Sequence, residues 1–475
     1  MTGGQTAFNK GSFGKRTLQE KIKNNFLSSN KISNEGEFSM SYDRIRITGY
    51  AIPTTPGGVV DIGNPNGPGS VAGYYLGSED FETDIQARID ILKAAVDTAK
   101  AKITGDDTGV INLFVAPEFY FHGLSGPYIF EDEANDPIIT IREKLTGTFN
   151  STDYPNWMFV CGSVISTHVK DPARMFASES VKSRNNIVKT LSQEWRNSFG
   201  PLKGVIFDML INFIKVCHSY PNCEIRNRSV IINNMGINPP QNSDVCKVMT
   251  TEKYYCSNED LLLYDTESNQ QVVTEQMTAY PVIDLSAGDA KQSAFDKYAI
   301  FRQGIDIPDA AAMDYGVEIC LDHSDTRLRR NIDNEPSPIV APHVQIIPSC
   351  GMQIVQSSVA TDANGIVFNC DGQYTLNNTG AGPGQGDVSG VESVYANYSK
   401  GSYGAHSQLA RVNQAAIGGD PNAPDSSNAS FQNLSEELIT CFSVDQPPAN
   451  LDQYYAGGAG ELHIYGLDAP LTLYS

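Results

Sequence analysis

The feature that most narrows the fold of this chain is a series of short apolar runs bounded by turn residues. They are Val110 to Ala116, Trp157 to Ile165, Val230 to Ile232, Gly316 to Leu321, Val344 to Ile347 and Ile366 to Phe368. Apolar runs of this length without strict alternation suit strands covered on both faces. Helical stretches lie between several of them, which predicts an α/β layering. From Tyr42, the alternation of Ile45, Ile47 and Gly49 with Arg44, Arg46 and Thr48 predicts a half-buried strand. Residues 79–102 predict an amphipathic helix. Ser78 is its expected cap, Glu79, Asp80, Glu82 and Asp84 crowd its first turns, and Ile85, Ile89, Leu92 and Val96 share one face.

Composition limits the partners. With 34 Lys and Arg against 55 Asp and Glu, the 475-residue chain carries a net charge of −21. Such a polyanion repels nucleic acid phosphates and anionic membrane surfaces, so neither is an expected partner. Charged residues make up 19% and hydrophobic ones 40%, which excludes disordered, collagenous and fibrous classes. No stretch reaches the roughly 20 apolar residues of a bilayer span, and the N-terminal residues lack a signal-peptide pattern. The nine cysteines are odd in number and form no C-x-x-C pair. That predicts reduced thiols in a cytoplasmic protein, without a disulfide scaffold or a metal cluster. Most of the nine are expected to be small buried hydrophobes.

Residues 1–38 are expected to form a polar arm, since the first 34 hold six basic residues against one acid. Residues 39–475 are then one domain. It carries insertions at about 168–222 and 377–430 and an extension at about 431–475 whose run from Leu462 to Ser475 is a candidate strand or tail crossing a subunit interface. Within the first insertion, Gly204 to Val216 predicts a helix too short to span a membrane. Pro53 to Gly77 predicts a long loop.

Three segments each set a reactive side chain at the end of an apolar or strand-like run. Glu118 follows Pro117 after the first run, at the edge where α/β sheets bind ligands. Cys320 closes another run, ahead of a helix for which Ser324 or Asp325 is a candidate cap, and a helix start favours a thiolate. Lys253 lies in a third segment. Taken one at a time, these residues also fit a turn carboxylate, an inert buried thiol and a solvated surface amine.

Their order lifts them above that. The sequence resembles the nitrilase, or carbon–nitrogen hydrolase, superfamily through PEF at 117–119, EKYY at 252–255 and GVEICLD at 316–322. Flanking pieces follow in the expected order: MFVCGS at 158–163, NRSVII at 227–232, VQIIPS at 344–349, VFNCDG at 367–372 and GAHSQL at 404–409. The resemblance implies a four-layer α-β-β-α sandwich with large loop insertions, assembled as a homodimer or larger homo-oligomer. It implies Glu118 as general base and acid, Lys253 as electrophilic stabiliser and Cys320 as nucleophile. The backbone N–H of Leu321 is a second oxyanion donor, and Glu259 or Asp260 a supporting acid.

The residue types suit that chemistry. An amide or nitrile carbon is a poor electrophile and needs a strong nucleophile, a proton shuttle and a stabiliser of developing charge. No metal or organic cofactor is required. Phe119, Tyr120, His122 and His323 are candidates for the substrate pocket, with core packing the competing role of the aromatic residues. Arg327, Arg329 and Arg330 are expected on a solvated helix face, or else pairing with a substrate carboxylate. The expected activity is hydrolysis of a small amide, with nitrile hydrolysis, acyl transfer, or a catalytically silent binding or assembly role as alternatives.

Overall fold

The computed structural model describes residues 42–54, 75–169 except 106, 197–216, 222–235, 248–254, 263–265, 270–272, 275–278, 300–302, 314–334, 341–372, 406–414, 430–434, 438–455 and 458–473, with single positions between 171 and 194. The arm at 1–38, most of the loop after Pro53, Glu259, Asp260 and most of the second insertion lie outside the described residues.

The chain is mixed α/β, with two larger sheets and a separate antiparallel pair, β7 (Leu263–Asp265) with β8 (Gln270–Val272). The first runs in the order β16 (Ile439–Ser443), β17 (Glu461–Tyr465), β1 (Arg44–Ala51), β2 (Val110–Ala116), β4 (Trp157–His168), β5 (Asn222–Asn233) and β6 (Val248–Glu252). The short strands β3 (Tyr128–Phe130), β9 (Glu275–Thr278) and β18 (Leu471–Thr472) attach to β4, β5 and β1. The second sheet runs β10 (Ile300–Arg302), β11 (Asp314–Val317), β12 (Val344–Ser349), β13 (Ile366–Asp371), β14 (His406–Gln414) and β15 (Ser430–Asn433). Strands β1, β2 and β4 are parallel, as are β11, β12 and β13.

Strand β2 is apolar except at Asn112 because it is covered twice. Ile111, Leu113 and Val115 enter a core shared with Val317, Ile346 and Phe368 of the second sheet. Phe114 and Ala116 face the other way, into a core with helix α1 (Phe81–Lys102) and helix α2 (Pro137–Thr148). The two-residue period of a strand distributes one run between two cores. At Gly49 a Cβ would lie 2.9 Å from the Phe368 ring, so the glycine lets β1 approach the second sheet. A polar tie also crosses this interior: Ser407 Oγ on β14 meets His463 Nδ1 at 2.8 Å and the Tyr465 hydroxyl at 2.7 Å, both on β17. Cys370 hydrogen-bonds the Val115 carbonyl at 3.3 Å, and Cys161 is buried among apolar residues. Burial pushes both thiols up.

Four expectations are corrected in detail. Asp80, not Ser78, caps α1, accepting from Thr83 N at 2.8 Å. Strand β11 ends at Val317, so Cys320 stands three residues beyond it rather than on its last position. Asp325 does not cap one following helix but closes a single turn, α4 (Leu321–Ser324), before α5 (Arg327–Asn334); the left-handed Thr326 separates the two. Finally, the run from Leu462 to Leu473 is built into this chain's own first sheet, where β17 and β18 pair antiparallel with β1.

The first insertion forms the helix α3 (Pro201–Val216), where Leu202, Val205 and Met209, with Phe199 before them, are more than half exposed. Among the described residues no helix is long and apolar enough to cross a membrane.

Candidate active site

Strands β2, β6, β11, β12 and β13 present the loops that hold the candidate residues. Glu118 is fixed through its backbone on every side. Its N–H donates to the Ser349 carbonyl at 3.3 Å, its carbonyl accepts from Thr54 Oγ1 at 2.6 Å, and the next N–H, of Phe119, donates to Ser163 Oγ at 2.9 Å. Phe119 is left-handed, with φ 58°, a conformation rare for a bulky residue. That twist keeps Phe119 beside Lys253, its ring centre 5.7 Å from Nζ, and turns the rest of the aromatic run inward.

Tyr120 and His122, candidates for the pocket in the sequence, are buried and bonded to residues of α1. Tyr120 donates to the Arg88 carbonyl at 3.1 Å and packs on Tyr50 and Tyr455. His122 Nδ1 meets the Arg88 guanidinium at 3.1 Å, and burial followed by that positive charge holds the ring well below the usual histidine range.

The close pass of β4 behind Glu118 depends on Gly162, with φ 73°, at a bulge in the β4–β5 pairing. A Cβ there would stand 2.4 Å from the Pro117 carbonyl oxygen and 2.6 Å from Tyr120 Cβ. Gly162→Ala should cost about 2–4 kcal/mol in chemical denaturation, from left-handed strain plus overpacking. A variant as stable as the wild type would contradict this packing.

The carboxylate of Glu118 and the amine of Lys253 form a fully buried ion pair, Oε1 to Nζ at 2.7 Å. Asn227, which no motif had singled out, donates its side-chain N–H to the same Oε1 at 2.9 Å. Its carbonyl also accepts the Lys253 N–H at 2.8 Å, so one residue of β5 aligns both members of the pair. The only sequence signal was its place in NRSVII.

Cys320 sits on a strained turn, with φ 48° and ψ −108°, as the N-cap residue of α4. A non-glycine residue held there costs about 1–3 kcal/mol and is retained where surrounding bonds impose it. Here the Cys320 N–H donates to the Pro348 carbonyl at 3.1 Å and the His323 N–H donates back to the Cys320 carbonyl at 2.9 Å. Leu321 opens the turn that follows, where the first N–H groups have no acceptor within the helix. The sulfur hydrogen-bonds the Glu118 carboxylate and the backbone N–H of Cys350. Burial pushes the thiol well up, the negative Glu118 adds to this, and Lys253 opposes it.

His323 is tied into a hydrogen-bonded frame beside the nucleophile. Its Nε2 accepts the Val355 N–H at 2.9 Å, which leaves the proton on Nδ1 to donate to Glu318 at 2.8 Å. The Glu318 carboxylate also takes Gln345 Nε2 and the Leu328 N–H, both at 2.6 Å.

Arg327 and Arg329 likewise differ from expectation: both are buried. Arg327 pairs with Asp322 and donates to the Glu252 carbonyl, its guanidinium 3.3 Å from the Tyr254 ring centre, while Arg329 donates to the Ser357 carbonyl. Asp322 in turn accepts the Tyr254 N–H at 3.0 and 3.1 Å. The segment bearing Lys253 is thus locked to the one bearing Cys320.

Reactivity should follow the charges around the sulfur, since alkylation tracks the thiolate fraction. Removing the negative charge with Glu118→Gln lowers the thiol's titration. Removing the positive charge with Lys253→Met raises it further. The pH midpoint of Cys320 alkylation by iodoacetamide should move about one unit or more in opposite directions in the two variants, with exposed Cys441 as the internal reference. Shifts of the same sign would contradict the arrangement.

Among the described residues, no group of three or more His, Cys, Asp or Glu side chains is placed to hold a metal ion. Compared with protein-family models, with curated proteins and with solved structures, the chain gave no match in any of the three.

Proposed function

We propose that this chain is a thiol hydrolase of the nitrilase type, cleaving the carbon–nitrogen bond of a small amide. The observation that carries this is the meeting of Glu118, Lys253 and Cys320, far apart in sequence, in one buried hydrogen-bonded group. Two sheets sharing a core, with α1 and α2 outside the first, are in keeping with an α-β-β-α order.

The Cys320 sulfur attacks the amide carbon while Glu118 takes its proton. Lys253 Nζ and the Leu321 N–H stabilise the negative charge that develops on the carbonyl oxygen. Glu118 then passes the proton to the departing nitrogen, and ammonia or an amine leaves a thioester on Cys320. Water, deprotonated by Glu118, attacks the thioester carbon and releases a carboxylic acid and the thiol. A nitrile would pass through a thioimidate at the same three residues, and an amine in place of water would give acyl transfer. None of these steps calls for a metal or organic cofactor. Reduced thiols fit a cytoplasmic setting, and a homo-oligomer remains part of the proposal.

The silent-scaffold alternative draws on the exposed apolar residues of α3. Intact-protein mass after incubation with a panel of small amides and nitriles, together with ammonia release, separates the two. A covalent adduct that maps to Cys320 supports the hydrolase. No adduct, with Cys320 alkylating no faster than the other cysteines, overturns it in favour of the scaffold.

A further inference from the structure

A second thiol stands at the same site. The end of β12 and the first residue of the loop after it touch the catalytic group in succession: the Pro348 carbonyl accepts the Cys320 N–H at 3.1 Å, the Ser349 carbonyl accepts the Glu118 N–H at 3.3 Å, and the Cys350 N–H reaches the Cys320 sulfur. The loop is held rigidly, because Asp371 Oδ2 accepts from Ser349 Oγ and from the N–H groups of Gly351 and Met352, all at 2.7 Å. Cys350 itself is partly exposed and packs beside Phe119 and Tyr75. The proposed hydrolysis uses no sulfur but that of Cys320. Disulfides join residues whose Cα atoms are roughly 4–7 Å apart. Cys350 lies two residues beyond Pro348, whose carbonyl accepts the Cys320 N–H at 3.1 Å, so the two backbones run side by side at this point.

We infer that Cys350 is a resolving thiol for Cys320, so that peroxide converts the pair to a disulfide that closes the site reversibly. The inference rests on the proposed function only in taking Cys320 as the sulfur that reacts. In the first step the Cys320 sulfur attacks one peroxide oxygen and the O–O bond breaks. Cys320 becomes a sulfenic acid, and the other oxygen leaves as water with the thiol proton passed through Glu118. In the second, the Cys350 sulfur attacks the sulfenic sulfur. The S–O bond breaks, the S–S bond forms, and hydroxide leaves as water with the Cys350 proton. The two sulfurs together lose two electrons, and hydrogen peroxide gains them. Without Cys350, the sulfenic acid goes on to sulfinic acid, which dithiothreitol does not reduce.

The test treats full-length wild type, Cys350→Ser and Cys350→Ala with hydrogen peroxide, blocks free thiols with iodoacetamide and maps the peptides. Circular dichroism checks that each variant is folded, and the two substitutions guard against one of them misfolding. In the wild type, peptides carrying residues 320 and 350 should be joined, and dithiothreitol should restore both thiols. In the variants, irreversible loss of Cys320 should be about tenfold faster. Equal irreversible loss in all three proteins, or a joined peptide pairing Cys320 with another cysteine, overturns the inference. Because every readout is a thiol rather than a turnover, a chain that forms the disulfide yet cleaves no amide would sink the hydrolase proposal and leave this one standing.

Discussion

Cys320→Ala should fold as the wild type does, form no covalent adduct, and release ammonia from a responsive amide slower by about 10⁴-fold or more. Stability should change little, because the strained turn is imposed by the Pro348 carbonyl and the helical turn after it rather than by the sulfur. Glu118→Gln is the informative companion. Its side-chain oxygen still accepts from Lys253 and Asn227, so the group keeps its hydrogen bonds while losing the negative charge and the ability to move a proton. Turnover should fall by about 10²–10⁴-fold while Cys320 stays open to alkylation. Ammonia release that survives Cys320→Ala would show the nucleophile to be elsewhere, and the proposed mechanism would fail.

The second large effect is on stability and starts one layer behind the site. Arg88 is fully buried on α1, its Nε 2.7 Å from Asp84 Oδ2. It donates to the Leu76 carbonyl at 2.7 Å and the Tyr120 carbonyl at 3.3 Å, and its guanidinium lies 4.9 Å from the Tyr455 ring centre. Asp84 feels the burial, which raises its carboxyl despite the Arg88 charge beside it. Arg88→Ala strands that carboxylate in the core, so unfolding free energy should drop by about 3–5 kcal/mol. Arg88→Lys should recover only part of this, because a single amine cannot reach the separated acceptors of a planar fork. Since Tyr120 and His122 continue directly from Glu118, both variants should lose activity before they unfold. Denaturation midpoints within experimental error of the wild type would refute this view of Arg88.

How far the sequence predicted these features follows from how local each one is. The apolar runs marked β2, β4, β12 and β13 because a strand covered on both faces is mostly apolar, and its few polar residues, such as Gln345 and Asn369, are hydrogen-bonded inside. Glu118, Lys253 and Cys320 were found through short motifs of their own. Asn227 was not, since a polar residue on a strand is ordinary until the strand is placed beside Glu118. The bonding of Tyr120 and His122 to α1 is not legible in the sequence, because the preceding phenylalanine adopts a left-handed conformation that sequence preference argues against. The burial of Arg327 and Arg329 was missed for a similar reason: their acceptors, at Asp322, Glu252 and Ser357, lie mostly in other segments.

The pairing of β1 with β17 and β18 sets the order in which this molecule can be completed. One side of β1 is met early by β2, but its other side waits for Glu461 to Thr472. Roughly 400 residues intervene, and at about 5–20 residues per second a ribosome needs about 20–80 s to supply them. For that interval the nascent chain carries an open strand edge with its backbone groups unpaired, the form of surface most prone to pair with a neighbour. The Ser407–His463 tie between the sheets cannot form before the same moment. The first sheet therefore stays open along β1 until β17 and β18 have been made, and these two strands act as a latch that closes its exposed edge.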